Sequence, residues 1–437
     1  MSIQFKFEWE EPGFAKGDEL RATWARFELL VNGRPVTRVL DRTIRAERAA
    51  VYVPLFPLAE WLAHNWFFLF AEVGSRHTRD RSYAGRHSLR FAGEGYALPD
   101  FQFLPAGELM DLRWFPYRPA NHLVEFLDGG EAFSPIVEVQ ARASEFVQAV
   151  VDRLAAENVS APSLTEEWQA IQSLPQDERL FAEAAASLGV DPFDLRVKDQ
   201  NAILDAASQV PGEVLPELLA ITRPKDIATQ IHWFRGAVSE LEPITSALTD
   251  LPELASEIRR IPSSAERPFE HGLKVAKCVR EKLGINGHPV VGLDGLARLF
   301  GDFKDFRDSG IMLQPETRQQ VHAVALADGP PKFLLTKTRS DSRRFALSRA
   351  VYNYLIGAFA SVDIVADSYF AKDKASRKFA AELLAPAEGL RKRISSAVVD
   401  EDEITALAEE YDVSTQVIEN QLINNGIAEI APTLEAN

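Results

Sequence analysis

The sequence predicts an α+β, multidomain protein: an N-terminal, mainly antiparallel β domain with a packed helix, a central helical region, and a C-terminal, mostly α domain. Three observations predict it. Short runs of alternating apolar and polar residues fill the first 139 positions, the two-residue period of half-buried strands. From about Ala141 the apolar spacing lengthens to the three or four residues of helices. At 437 residues with 46% hydrophobic content, the chain exceeds one domain and is apolar enough for ordinary cores. The reading is a mixed β-rich domain over 1–139, a helical domain or connector over 140–265, a further domain over 268–430 and a tail over 431–437.

In the first domain Ile3, Phe5, Phe7 and Trp9 alternate with Gln4, Lys6 and Glu8. Phe27–Val31 and Pro35–Leu40 flank Asn32-Gly33, the signature of a type I′ hairpin. Ala50–Val53 reads as a strand, and Pro57–Val73 as one aromatic-rich helix. Strands follow through Leu89–Phe91, Phe101–Phe103, Leu112–Phe115, Val124–Phe126 and, after the Asp128-Gly129-Gly130 turn, Ile136–Val139. Phe146, Val150 and Leu154 stripe the next helix, and Pro162, Pro175, Pro192, Pro211 and Pro224 separate short successors. The helix through Phe181–Leu188 closes at Gly189. Ile261–Pro268 reads as a linker.

Composition narrows the classes of function. One cysteine, Cys278, excludes an internal disulfide and suits a reducing compartment. No apolar run approaches the roughly 20 residues of a membrane span, and Met1–Phe5 lacks the pattern of a signal peptide. The expectation is a cytoplasmic protein with no membrane contact. A net charge of −16 opposes general attraction to phosphate backbones.

The last domain is organised around Arg343–Gly357, which has no proline or internal glycine. Leu347, Val351, Leu355 and Phe359 form one stripe, and Phe345, Tyr352 and Ile356 the next, so the helix is expected to be deeply buried. Arg349 and Asn353 stand four apart and share a face. Large polar groups inside a buried helix mark a site or its remains.

This stretch resembles the active-site helix of the ImmA/IrrE-like metallopeptidase family, in which Arg-Phe-Thr-Leu-Ala precedes His-Glu-x-x-His. There the histidines bind zinc and the glutamate is the general base. Aligned on Arg344-Phe345-Ala346-Leu347-Ser348, the chain places Arg349 at the first histidine, Ala350 at the glutamate and Asn353 at the second histidine. A guanidinium cannot ligate a cation, alanine cannot accept a proton, and an asparagine oxygen is a poor zinc ligand. Phe379–Pro386 resembles the family's Phe-Ala-Ala-Glu-Leu-Leu-Met-Pro helix. The stretch from Leu407 to Leu422 resembles its C-terminal element, and Gly272–Ala297 its opening helices. The family's third ligand is acidic and precedes the Phe-Ala-Ala motif, which makes Asp373 the candidate here. The resemblance implies the family fold over 268–430 without its chemistry. Either Arg349 replaces the metal's charge, with Asp373 or Glu382 as its expected partner and Asn353 bridging to the same group or to backbone, or Arg349 and Asn353 only hydrogen-bond nearby backbone in a fold that keeps no site.

Other sites are weighed beside this one. The eight histidines include no pair spaced three to five apart, although His288 and His322 share the last domain. No cofactor is expected, and zinc is expected to be absent. Arg76, Arg79, Arg81, Arg86 and Arg90 crowd fifteen residues of an acidic chain. They read either as a nucleic-acid contact or as a loop paired with acidic surface. The C-terminal Ala408–Ser414 spacing is similar to a helix-turn-helix, but Glu403–Gly426 holds no lysine or arginine, which favours packing or protein binding.

The expected function is that of a non-catalytic regulatory or sensor protein acting through protein contacts. By the resemblance, the setting is a bacterial or phage stress, toxin–antitoxin or defence circuit, and the partner a helix-turn-helix regulator or a neighbouring effector. The alternatives are a zinc endopeptidase with an unconventional site, and a nucleic-acid-binding regulator using the arginine-rich 74–90 segment.

Overall fold

The computed structural model describes residues 3–12, 15–74, 81–262, 267–315, 320–327, 329–357 and 361–431, and over them the protein is a mixed α+β protein. It divides into two compact units. One comprises Met1–Asp205, Leu219–Pro224 and Ser368–Phe370; the other comprises Ala206–Leu218, Lys225–Asp367 and Ala371–Asn437. Residues 140–205 of the central helical region thus belong to the first unit, and most of its remainder to the second.

The first unit is built on small antiparallel sheets. The strand Ile3–Trp9 pairs with Trp24–Val31 without a register shift, from Ile3 opposite Val31 to Trp9 opposite Ala25. Trp24–Val31 also pairs with Val51–Pro54 and, through the hairpin, with Arg34–Pro35. Asn32 (φ 54°) and Gly33 (φ 76°) both sit in the left-handed region that a type I′ turn requires. Asp100–Pro105, Leu109–Phe115 and Gly130–Pro135 form a second sheet, and Val39–Asp41 joins Ala46–Arg48 and Val124–Phe126 in a third. The helix Ile136–Ala156 packs on the first sheet, where Phe146 stacks on Phe5 at 4.9 Å.

Three local expectations are corrected here. Ile136–Val139 opens the helix rather than forming a strand, because Val139 starts the helical stripe that continues through Ala143, Phe146, Val150 and Leu154. Leu89–Phe91 is a 3₁₀ turn, and the neighbouring Ser88 bridges to Gln102. The aromatic segment forms two helices, Phe56–His64 and Trp66–Ala71. They part at Asn65, whose backbone leaves the helical region at φ −101° and ψ 14° and whose side-chain amide donates to the Trp61 carbonyl at 2.8 Å.

The second unit holds a four-stranded sheet that alternation could not reveal. Its order is Ile311–Leu313, Lys332–Leu335, Val321–Leu326, Val362–Ala366, with the first pair parallel and the others antiparallel. The last three strands are buried throughout, because the helices Ser340–Ile356 and Ile227–Leu241 pack against the sheet. The helices Pro268–Lys282 and Ala371–Leu384 approach most tightly at Gly272, where a Cβ would fall 2.1 Å from the Ala375 carbonyl oxygen. Ala387–Arg393, Glu401–Tyr411 and Thr415–Asn424 complete the helical part. Among the described residues, no helix is long and apolar enough to cross a membrane.

Candidate functional site

The Ser340–Ile356 helix is enclosed on nearly every side, as its continuous apolar stripes require. The sheet and the helices Leu251–Ile258, Leu293–Ala297 and Ala371–Leu384 surround it. Every residue from Ala346 to Leu355 is buried. Gly357, at φ 70°, takes the left-handed conformation that ends the helix, and its N–H reaches the Asn353 and Tyr354 carbonyls.

Arg349 is 1% exposed, so each of its donors needs an acceptor. Its Nη2 donates to Asp373 Oδ1 at 2.5 Å and to the Ala366 carbonyl at 2.9 Å, and its Nε donates to Ser376 Oγ at 3.2 Å. Ser376 in turn donates to the Asp373 carbonyl at 3.2 Å. Of the two expected partners, Asp373 is the one in place. Glu382 lies nine residues further along the same helix, about 13.5 Å up its axis. It accepts instead from Gln421 Nε2 at 2.9 Å and from the Ala387 N–H at 3.3 Å. Ala350 is fully buried and offers no group that could hold a proton.

Asn353 departs from the expectation that it shares Arg349's partner. One turn along, its Nδ2 faces the Val362–Ala366 strand and donates to Asp363 Oδ2 at 2.7 Å. Asp363 Oδ1 accepts from Lys372 Nζ at 2.5 Å, and Lys372 Nζ also lies 2.5 Å from Glu217 Oε2. The interior therefore gathers two cations, Arg349 and Lys372, with three carboxylates, Asp363, Asp373 and Glu217. Burial opposes the charge on Lys372, but Glu217, Asp363 and Asp373 outweigh it and hold the amine protonated. Burial pushes the Glu217 carboxyl well above its usual range, with Lys372 opposing and the charges of Asp373 and Asp363 adding to the push.

His322, on the Val321–Leu326 strand, stands beside this cluster with its Nε2 3.5 Å from Asp367 Oδ2. Burial lowers its pKa to about 4 against the pull of Asp367, and the charges of Arg349 and Lys337 lower it further, so the imidazole is neutral at pH 7. His288 is exposed, and its backbone carbonyl accepts from Arg280. Among the described residues, no group of three or more His, Cys, Asp or Glu side chains is arranged to hold a metal ion. What the cluster does chemically is neutralise itself: each charged head is engaged by a group of opposite charge or by a carbonyl.

The same helix carries a second buried arginine. Arg344 donates to the backbone carbonyls of Val290, Tyr411 and Asp412, and its Nη1 lies 2.9 Å from Asp412 Oδ2. Arg344 thereby pins the turn between the last two long helices. Tyr352, on the face toward the Pro268–Lys282 helix, shares a 2.9 Å hydrogen bond between its hydroxyl and His271 Nδ1.

In the arginine-rich segment, Arg76 and Arg79 lie outside the described residues. Arg81 is exposed at the start of a short helix, Arg81–His87. Arg86 grips the buried Glu72 with two donors, at 2.9 and 2.5 Å, and lies over the Phe68 ring. Arg90 pairs with Asp100 at 3.3 Å and lies over Phe91. Burial lowers the pKa of His87 against the pull of Glu72, and its ring lies with Nδ1 2.8 Å from the Phe103 carbonyl and Nε2 3.1 Å from Glu72 Oε2. Arg86 and Arg90 are thus tied to this unit's own acidic groups. The basic residues near the C-terminal helices are engaged likewise: Arg391 with the Asn425 carbonyl, Lys392 with Glu388 and Arg393 with Glu410.

Sequence reasoning named Arg349, Asn353 and Asp373 but missed Asp363, Lys372, Glu217, Ser376 and Asp367. One signal was available: Asp363 is the lone charge in the apolar run Val362–Ala366, and such a charge demands a buried partner. Comparison of the chain with protein-family models, curated proteins and solved structures finds no match.

Proposed function

We propose that this chain is a non-catalytic regulatory protein related to ImmA/IrrE-like metallopeptidases, acting by binding a protein partner rather than by cutting one. The observation that carries the reading is the buried Arg349–Asp373 ion pair. By the resemblance, Arg349 occupies the position of the first zinc-binding histidine, and Asp373 that of the acidic third ligand. A fixed guanidinium donating to Oδ1 of that carboxylate supplies a permanent positive charge where a zinc ion would bring its own. The fully buried Ala350 supports the same reading, since no base remains to activate water. On this view the helix keeps the frame of an active site as a rigid support, and the specificity lies in the partner-binding surface. The setting that fits is a cytoplasmic bacterial or phage circuit in which relatives act on helix-turn-helix repressors.

The test is to incubate the full chain, with zinc present, with helix-turn-helix regulators encoded beside its gene. Binding is followed by interferometry and cleavage by intact mass. The expected result is saturable binding of one regulator with no change in its mass. Cleavage of a regulator that chelator abolishes would overturn the proposal, as would the absence of binding to every neighbouring product.

A further inference from the structure

We infer that the outer edge of the Ile3–Trp9 strand is a self-association surface, at which a second copy of this chain adds its own Ile3–Trp9 strand antiparallel about a two-fold axis at Phe7. The inference is independent of the function proposed above. Among the described residues this strand pairs only with Trp24–Val31, so one side of it has no strand neighbour. The Glu10 N–H bonds the Trp24 carbonyl at 3.0 Å, which fixes the parity of the ladder. The backbone groups of Glu8 and Lys6 face Trp24–Val31, and those of Phe5, Phe7 and Trp9 face outward. The edge is seven residues long and carries no proline and no bulge, so among the usual defences it has only its charges, Lys6 and Glu8.

Charge complementarity chooses the occupant. With the axis at Phe7, Phe7 meets its own copy, and Phe5 meets the second copy's Trp9. Lys6 meets the second copy's Glu8, and Glu8 meets its Lys6. Both charge pairs are attractive, and they fall at non-hydrogen-bonded positions, where side chains approach most closely. An axis one residue away, at Lys6 or Glu8, would set like charges face to face. The aromatic row has space to be covered as well. Phe5, Phe7 and Trp9 remain partly exposed although they face the Ile136–Ala156 helix. An open groove of about 510 Å³ lies beside Phe5, Phe7 and Phe146, and another of about 350 Å³ lies on the opposite face beside Lys6, Glu8, Arg26 and Glu28. A second strand fills the first groove with aromatic surface and the second with opposite charge.

The charges supply a decisive test by sedimentation equilibrium of the full chain. Wild type is expected to show a concentration-dependent monomer–dimer equilibrium that weakens with salt. Lys6→Glu alone, or Glu8→Lys alone, turns both cross-strand pairs repulsive by symmetry and is expected to weaken association about tenfold or more. Mixing these two variants recreates both attractive pairs and is expected to restore a one-to-one dimer. The double exchange Lys6→Glu with Glu8→Lys is expected to self-associate like wild type. Glu8 is well exposed, and its nearest cation, Arg26, keeps its own pair with Glu28, so the fold should tolerate these changes. Wild type that stays monomeric to roughly 100 µM, or a dimer equally stable in both single variants, would overturn the inference.

Discussion

Replacing Arg349 with alanine removes one half of an ion pair whose side chains are 2% and 0% exposed. Three hydrogen bonds go with it, to Asp373, Ser376 and the Ala366 carbonyl. The larger cost is what remains, because Asp373 keeps its burial and loses its countercharge. Breaking such a pair on one side costs about 3–5 kcal/mol. In a unit of this size each kcal/mol moves the melting temperature by about 2–4 °C, so Arg349→Ala should lower it by about 6–20 °C. Replacing both partners with apolar residues, Arg349→Met with Asp373→Leu, strands no charge and should recover most of the loss. Urea unfolding of wild type, both single variants and the double variant yields the coupling energy directly. A single alanine variant within about 1 kcal/mol of wild type would refute the reasoning, as would additive losses in the double variant.

Further predictions concern pH, packing and charge. His322 has a folded pKa of about 4 against 6.5. Its contribution of about 3 kcal/mol is therefore present above pH 6.5 and lost as pH falls toward 4. His322→Gln should flatten that part of the stability profile, and an imidazole seen by NMR to titrate near 6.5 would contradict the assignment. Glu217 runs the opposite way: its raised pKa makes stability fall as pH rises above the unfolded value near 4.5, and Glu217→Gln should remove that slope. Gly272→Ala drives a methyl into the Ala375 carbonyl and should cost about 1–3 kcal/mol or more, read as a lower urea midpoint. Arg86→Ala should destabilise the first unit by about 1–3 kcal/mol through the loss of its charged bonds to Glu72. A fluorescence titration near physiological salt should find no sub-micromolar nucleic-acid binding. Such binding, abolished by replacing Arg79, Arg81 and Arg86 together, would restore the nucleic-acid reading.

Where local rules act alone, the sequence was readable. Asn32-Gly33 set a hairpin because only residues tolerant of positive φ suit both turn positions. The helix about Arg349 was visible because its apolar stripes run unbroken to Gly357. The strands of the second unit were not read, since a strand buried on both faces shows no alternation. A helix that hydropathy joined is split at Asn65, where one residue's backbone turns out of the helical region, a change that periodicity does not register. At the site, Asp373 was named through the resemblance, as the acidic residue before the Phe-Ala-Ala motif, and it lies on the helix that packs against the one carrying Arg349. Asp363 and Glu217 arrive from a strand and from a separate short helix, Leu215–Ala220, and only tertiary packing brings them to Lys372. Asn353 was given the wrong partner for the same reason: the Val362–Ala366 strand had not been placed.

The proposal turns on a fixed guanidinium standing at the position where ImmA/IrrE-like metallopeptidases, which the sequence resembles, hold a metal. Metal content tests it most directly. The full chain is produced in zinc-supplemented medium, passed through a mild chelator and assayed by elemental analysis. The claim predicts zinc far below one equivalent per chain, with Arg349→His, Ala350→Glu and Asn353→His together recovering weak binding at best, because Asp363 and Lys372 occupy the space beside position 353. About one zinc per wild-type chain, retained through chelation, would contradict it.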